Sequence, residues 1–489
     1  MFPGMKKRFK DKLRHDGIVS IDLRNRFLLV LTGLAVVSLV RFCLLTNSPG
    51  ALPSSITSRQ SEYEPVLTRG VKSQNLVGER QDPPNRQGTE LRSDCRGRYV
   101  FIHSVSREFN EQIVTDCRLL KEWTDMCIAL SNAGLGPAIN NTEGIFTESG
   151  WYNTHQFALE TIFHNRMKQY DCLTEDASQA SAIYVPYFAG LEAQRTLWQE
   201  DLKVRDTNPS RIEKWLLSQP QWAAYSGHDH FMVGGRITWD FRRQGPGWGN
   251  NLLTLPAMQN MTTMVIEGST WDTIDVGIPY PTYFHPSSDH EIRAWQEKLR
   301  GFERSHLFSF AGGTRNDMSK LIRGQLIDQC RRSPYCKLLS CDLGACIAPE
   351  PVMRLFEESV FCLQPQGDSA TRKSIFDSML AGCIPVFFHE NSYLGYAWHL
   401  PKERSSYSVF IAEDHIRSGT LSVESVLRAI PAKEVQQMRE TIIELIPHLV
   451  YADPRRPTLE KSSDAFGIAM KGLLERISEK KRQLKQQSK

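Results

Sequence analysis

The sequence predicts an α/β protein, its parallel sheets covered by helices, carried behind an N-terminal transmembrane helix and a flexible stem. Three observations predict this. Apolar strand-like runs alternate with helical patterns over most of the chain. One apolar run near the N-terminus, with a single charge, is long enough to cross a bilayer, and the stretch that follows it cannot bury a core.

The chain has 489 residues, more than one hydrophobic core usually organises, so two domains with appendages are expected. Apolar residues make up 40%, which suits a globular body. The net charge is only +4, with Lys and Arg spread along the chain. That balance argues against a nucleic-acid partner, which would call for a concentrated basic face.

Residues 1–26 form a basic tail with Lys6, Lys7, Arg8, Lys10, Lys12, Arg14, Arg24 and Arg26. Residues 27–45 (FLLVLTGLAVVSLVRFCLL) carry one charge, Arg41, near the far end, where its long side chain can reach the interface. An apolar run of about 17–25 residues spans a membrane as a helix. Positive flanks stay cytosolic, so the rest of the chain should be lumenal, as in a single-pass type II protein. A cleaved signal peptide is the competing reading. Its apolar region would be shorter, about 7–15 residues, and a small-residue cleavage site should follow; none does. Residues 46–94, rich in Ser, Pro, Gln, Gly and Arg, read as a stem.

Beyond the anchor lie ten of the eleven cysteines, and an oxidising lumen should pair several. Cys330, Cys336, Cys341 and Cys346 lack zinc-type spacing and are expected in disulfides. Cys362 and Cys383, inside apolar runs, are expected as buried thiols. Sequons stand at Asn140 and Asn260.

The folded body should begin near Cys95 with a strand at 99–103. Further strands are expected at 182–188, 263–266, 307–310, 360–363, 384–388 and 408–411. Helical patterns fall at 156–169, 319–330, 351–358, 371–380 and 423–430. A charged helix at 290–304 divides a first domain, 95–300, from a second, 301–463. Residues 464–489 form a basic helix or tail, expected to present a solvated face.

Residues 359–390 (SVFCLQPQGDSATRKSIFDSMLAGCIPVFFHE) read as strand, loop, helix and strand. Asp368 or Ser369 can cap the helix. A loop feeding a helix N-terminus favours phosphate, because free N–H groups and the helix dipole both point at it. Gly367 lets the backbone approach, Ser369 and Thr371 add hydroxyls, and Arg372 adds a forked charge. The competing reading is ordinary structural punctuation, with Arg372 and Lys373 as solvated charges.

The run QPQGDSATRKSIFDSMLAGCIPVFF resembles the C-terminal signature of the exostosin-type glycosyltransferases, family 47, and within it the plant xyloglucan galactosyltransferases. The resemblance extends through Gly150-Trp-Tyr152, Ile183-Tyr-Val-Pro186, Asp229-His-Phe231, residues 235–243 (GRITWDFRR), residues 277–286 (GIPYPTYFHP), residues 307–312 (LFSFAG) and residues 449–454 (LVYADP). It implies a GT-B-like fold, two Rossmann-like domains facing a cleft, with the donor held mainly by the second and the acceptor by the first. It also implies an inverting Golgi enzyme that needs no metal or other cofactor, takes a UDP-sugar and acts on xyloglucan. Complexes with other Golgi glycosyltransferases are a further implied partnership. In agreement, the chain contains no D-x-D triplet.

Roles follow from that resemblance. Arg315 and the 367–372 loop should stabilise the leaving diphosphate, since donors already aimed at developing charge need no reorganisation. Asp377 falls where related enzymes place a ribose-binding Glu; an ion pair with Lys373 is its alternative. The general base should be His230 supported by Asp229, with Asp240 and Glu267 as runners-up. His155 and His285 are read as structural. Trp151, Tyr152, Trp239, Trp248 and Trp271 are candidate sugar platforms, of which at least half should prove to be core. UDP-galactose is the expected donor, with UDP-galacturonic acid or UDP-arabinose as alternatives. A non-catalytic scaffold is the reading from a different class.

Overall fold

The computed structural model describes residues 95–487, apart from 121–124, 142–143, 273, 314–321, 368 and 457–458. The expected tail, anchor and stem, and with them the membrane topology, lie outside the described residues. No helix among the described residues is long and apolar enough to cross a membrane.

Two five-stranded parallel sheets make up the fold. In the first, β1 (Tyr99–Ile102), β2 (Ala180–Tyr184), β3 (His230–Ile237), β4 (Thr262–Glu267) and β5 (Asp275–Gly277) lie side by side in chain order. Both faces are covered. Phe231 and Val233 of β3 pack into one core, and Met232, pointing the opposite way, packs into another. The first core holds α1 (Leu159–Met167); the second holds the inner faces of α2 (Ala189–Thr196) and α3 (Leu202–Leu217). Double coverage explains why β4, TTMVIE, is buried at every position.

Glu160 of α1 ties these layers together. Its fully buried carboxyl accepts hydrogen bonds from the N–H groups of Gly190, Leu191 and Gly235. A Cβ on Gly190 would stand 2.9 Å from the nitrogen of Gly235, so helix α2 can approach β3 this closely only through glycine.

The sheets are joined by α4 (Asp289–Arg300), whose Ser288 cap accepts from the N–H of Glu291. Asp289 and Glu291 in its first turn and Lys298 and Arg300 in its last complement the dipole. The second sheet contains β6 (His306–Gly312), β7 (Cys336–Ser340), β8 (Ser359–Gln364), β9 (Ile384–Phe387) and β10 (Val409–Phe410), in the order β10-β9-β8-β6-β7. Its helices are α5 (Ile322–Arg332), α6 (Pro349–Glu357), α7 (Lys373–Leu380) and α8 (Ala432–Leu449). From β6 the chain moves out to β7 and then returns to β8 on the other side. That reversal opens a crevice between the carboxyl ends of β6 and β8, where ligands of such sheets bind.

The last helix, α9 (Ala465–Gln487), returns to the first sheet. It buries Ala465, Phe466, Ala469, Met470, Leu473 and Ile477, with Phe466 against Phe163 of α1 at 4.8 Å. Only its outer face is solvated. Asp464 at its start pairs with Arg166 at 3.1 Å.

All ten cysteines of the described residues are paired: Cys95–Cys172, Cys117–Cys127, Cys330–Cys336, Cys341–Cys346 and Cys362–Cys383. The expectation for the 330–346 cluster holds. The reading of Cys362 and Cys383 as thiols is corrected: both are buried, but Cys362 stands on β8 and Cys383 immediately precedes the adjacent strand β9, where Cys362 aligns with Pro385. Burial was visible in the sequence; the neighbour across the sheet was not.

Candidate active site

A cleft of about 1060 Å³ opens between the carboxyl edges of the two sheets. The first sheet contributes His155, Arg236, Asp240, Glu267, Tyr280 and Tyr283 to its walls. The second contributes Gly312 at the end of β6 and Gly313 after it, the loop after β8, and the first turn of α7.

That loop is held from several sides. The N–H of Gly367 bonds to the carbonyl of Ser369, and Ser392 Oγ donates to the carbonyl of Ala370 at 2.7 Å. Tyr396 spends its hydroxyl proton on the carbonyl of Ile266 in β4, so Thr371 must donate to Tyr396, at 2.8 Å. Through this chain the loop is fixed to the opposite sheet. Helix α7 begins at Lys373 with Arg372 as its N-cap. The expected start at 371 moves by two residues, and the helix has no side-chain cap. Asp368 lies outside the described residues. A Cβ on Gly367 would displace the guanidinium of Arg372 from its place against the loop.

Glu267 stands at the carboxyl end of β4 and faces this loop. It accepts from the Tyr280 hydroxyl, and Ser369 and the N–H of Thr371 also bond to it. Burial raises its carboxyl to about 7, against the pull of those donors and of the Arg372 charge. That value poises it to exchange a proton near neutrality.

Lys373 is no solvated charge. Its ammonium lies buried 2.8 Å from Asp377 Oδ1 and 2.9 Å from Oδ2, and 3.2 Å over the ring of Tyr283. Burial lowers the lysine and raises the aspartate, while each partner holds the other charged. Both carboxylate oxygens of Asp377 are thus engaged, which realises the ion-pair alternative at this position. Arg323 of α5, buried and 3.4 Å from the carbonyl of Gln366, joins Arg372 as a second arginine on the loop. Nothing in the local sequence of α5 marks it; only the fold brings it to the cleft. Arg315 lies outside the described residues, in the stretch that follows β6.

The other sequence-derived candidates fall in different places. Asp240 lines the cleft but is locked, receiving Arg236 Nε at 2.5 Å and Trp248 Nε1 at 2.6 Å. His230 and Asp229 are at the opposite edge. His230 opens β3, whose far end, Ile237, reaches the cleft, and eight extended residues span roughly 20–25 Å. There His230 bonds to Asp229 at 2.8 Å and to His103 at 3.1 Å, fully buried beside Trp222. Lys481 of α9 reaches Asp229 at 3.6 Å. This network joins the C-terminal helix to the sheet and leaves no access for an acceptor hydroxyl. The His–Asp motif is structural here.

His155, read as structural, lines the cleft instead. Burial, reinforced by Arg236 and Lys373, holds it down at about 4, and its Nδ1 accepts from the N–H of Phe157. It is therefore neutral, with its proton on Nε2. His285 is structural as expected, buried between Thr154 and the carbonyl of Tyr451. Among the aromatics, Trp151 is core, stacked on Phe284 at 4.7 Å, and Tyr152 is tied to Arg455. Trp239, Trp248 and Trp271 are exposed.

With this geometry in place, the comparisons decide the family. The Exostosin GT47 domain matches residues 94–430. The chain belongs to the exostosin-type glycosyltransferases of family 47. A xyloglucan galactosyltransferase of Arabidopsis thaliana is 48% identical over 447 residues, 88% of this chain and 70% of that one. A probable xyloglucan galactosyltransferase of the same plant is 48% identical over 398 residues, 78% of this chain and 83% of that one. A xyloglucan-specific galacturonosyltransferase, also of Arabidopsis thaliana, is 40% identical over 389 residues, 78% of this chain and 58% of that one. In this glycosyltransferase of family 47, the 367–373 segment inside the matched region is the wall that faces Glu267.

Proposed function

We propose that this chain is an inverting GT-B-type enzyme of the Golgi lumen, moving galactose from UDP-galactose onto xylosyl side chains of xyloglucan. The observation that carries the mechanism is Glu267 set directly against a cationic loop and helix N-terminus in the cleft. The relatives named for xyloglucan galactosyl transfer support the substrates.

The acceptor hydroxyl oxygen attacks the sugar's anomeric carbon, and the bond from that carbon to the diphosphate breaks with its electron pair leaving on UDP. Glu267 takes the hydroxyl proton. Arg372, Arg323 and the free N–H groups at the start of α7 stabilise the departing diphosphate. Arg315 is proposed to join them. The Lys373–Asp377 pair fixes the first turn of α7 and adds little net charge, so its role is positional. Three cationic side chains and a helix N-terminus serve where a metal would otherwise sit, and no cofactor is invoked. Membrane anchoring through residues 27–45 and assembly with other Golgi transferases belong to the same proposal.

The test offers the full chain, in detergent, xylosylated glucan oligosaccharides with each donor, with chelator present. A hexose added from UDP-galactose alone supports the reading. Addition of a uronic acid would move the chain to the chemistry named for its galacturonosyltransferase relative. Failure to transfer from any donor or to bind UDP would favour the scaffold.

A further inference from the structure

We propose that two tryptophan pairs on the first sheet form a track for the glucan backbone of a polymeric acceptor, extending the cleft beyond the reacting sugar. This rests on the functional reading above for its direction, but not for the binding itself.

Four tryptophans of the described residues are exposed: Trp198 at 52%, Trp239 at 43%, Trp248 at 45% and Trp271 at 60%. They are not scattered. Trp198 meets Trp248 at 4.8 Å, and Trp239 meets Trp271 at 5.1 Å. Trp239 and Trp271 follow the carboxyl ends of β3 and β4, on the edge where the cleft opens. Trp198 and Trp248 line the cleft itself, while Trp239 sits between the cleft-lining Ile237 and Asp240. The second pair therefore continues the first along one rim.

Each pair is held in place by a charge pair beneath it. Arg236 locks Asp240, which accepts the indole N–H of Trp248. Arg242 bonds at once to Thr238 at 2.9 Å and to Asp272 at 2.6 Å, the neighbours of Trp239 and Trp271. Substantial stabilisation is thus invested in keeping large apolar faces in water, and such patches mark binding surfaces. Flat indole faces beside fixed polar groups suit the C–H faces and hydroxyl rims of pyranose rings. Continuity with the cleft selects the acceptor's own backbone over a lipid surface or a second copy of the chain. A longer chain can engage both pairs at once.

The test compares the full chain with W239A/W271A and the conservative W239F/W271F. Affinity electrophoresis through soluble xyloglucan should retard the parent, with the double alanine variant binding about tenfold more weakly and the phenylalanine variant near the parent, as expected when two stacking anchors are truncated. In transfer assays, the ratio of KM for polymer to KM for a one-repeat oligosaccharide should rise by about the same factor, with kcat little changed. Equal retardation of parent and double alanine variant would overturn the track. So would no retardation of the parent, an unchanged KM ratio, or loss of vesicle binding or of self-association in place of glucan binding. A parent that is retarded but transfers nothing would sink the proposed reaction and leave the track standing.

Discussion

At the scale of the residue, the site turns on which carboxyl is free to take a proton. Asp240 and Asp377 both face the cleft, and both have their oxygens taken by cations or an indole N–H. Glu267 is bonded by neutral donors instead, and burial raises it to about 7. A base must be ionised to work, so kcat/KM should fall about tenfold per unit below pH 7 and level off above it. In E267Q the glutamine oxygen still accepts from Tyr280, so the fold should persist. Its kcat should drop by roughly 10²–10⁴, with UDP affinity unchanged in a titration and the acid limb of the pH profile gone. A variant that kept the limb would move the base elsewhere. The sequence ranked Glu267 behind His230 because a histidine beside an aspartate is a strong local signal. The signal for Glu267 is its place at the end of β4, which no window of residues displays.

At the scale of the element, the segment between Cys362 and Cys383 is the unit that holds the donor side. It contains the carboxyl end of β8, the 367–372 loop and α7, and the disulfide closes it at both ends with a sequence separation of 21. Closing a loop of this length removes unfolded-state entropy worth about 3 kcal/mol. Replacing both cysteines by serine should therefore lower stability by about 2–4 kcal/mol, read as a lower denaturant midpoint. UDP affinity should weaken only as far as the loop loosens. An unchanged midpoint would show that sheet pairing alone fixes the segment. The elements themselves were legible wherever apolar residues ran together, as in β4, β6, β8 and β9, and wherever helical stripes were clean, as in α1 and α7. Strand β3 was not, because two glycines interrupt HFMVGGRI; Gly235 admits helix α2 and Glu160, while Gly234 makes room for Phe241. Strand β7 was hidden among cysteines read only for their pairing. The cleft's cations divide the same way: Arg372 announces itself beside a glycine loop, whereas Arg323 arrives there only through the packing of α5.

At the scale of the whole molecule, buried titratable groups on both sheets set a pH preference whose sign can be worked out. His103, His155, His164, His285 and His399 are held neutral, each lowered to about 4, chiefly by burial. A lowered histidine adds stability that is full above its unfolded value near 6.5 and is lost as pH falls towards 4. Glu160, Glu267 and Glu357 are each raised to about 7, again chiefly by burial. Their contribution has the opposite sense, full below about 4.5 and lost as pH rises through 7. Between pH 5 and 6.5 the two sets compete; Asp377 is raised as well and His228 and His448 are lowered, so the histidines outnumber the carboxyls. Stability should therefore rise with pH over that window, by up to about 1.4 kcal/mol per unit for each unmatched group. Above 6.5 the histidines have nothing more to give and the carboxyls still lose, so the curve should turn over near neutrality. Thermal melts of the full chain in detergent, taken from pH 5 to 8, test this directly. A maximum near pH 6.5–7 is expected, and E267Q should flatten the alkaline side by removing one of the opposing carboxyls. Melting that fell steadily from pH 5 upward would mean the carboxyls dominate. The catalytic limb and the stability maximum would then no longer coincide, and the enzyme would work best where its fold is weaker.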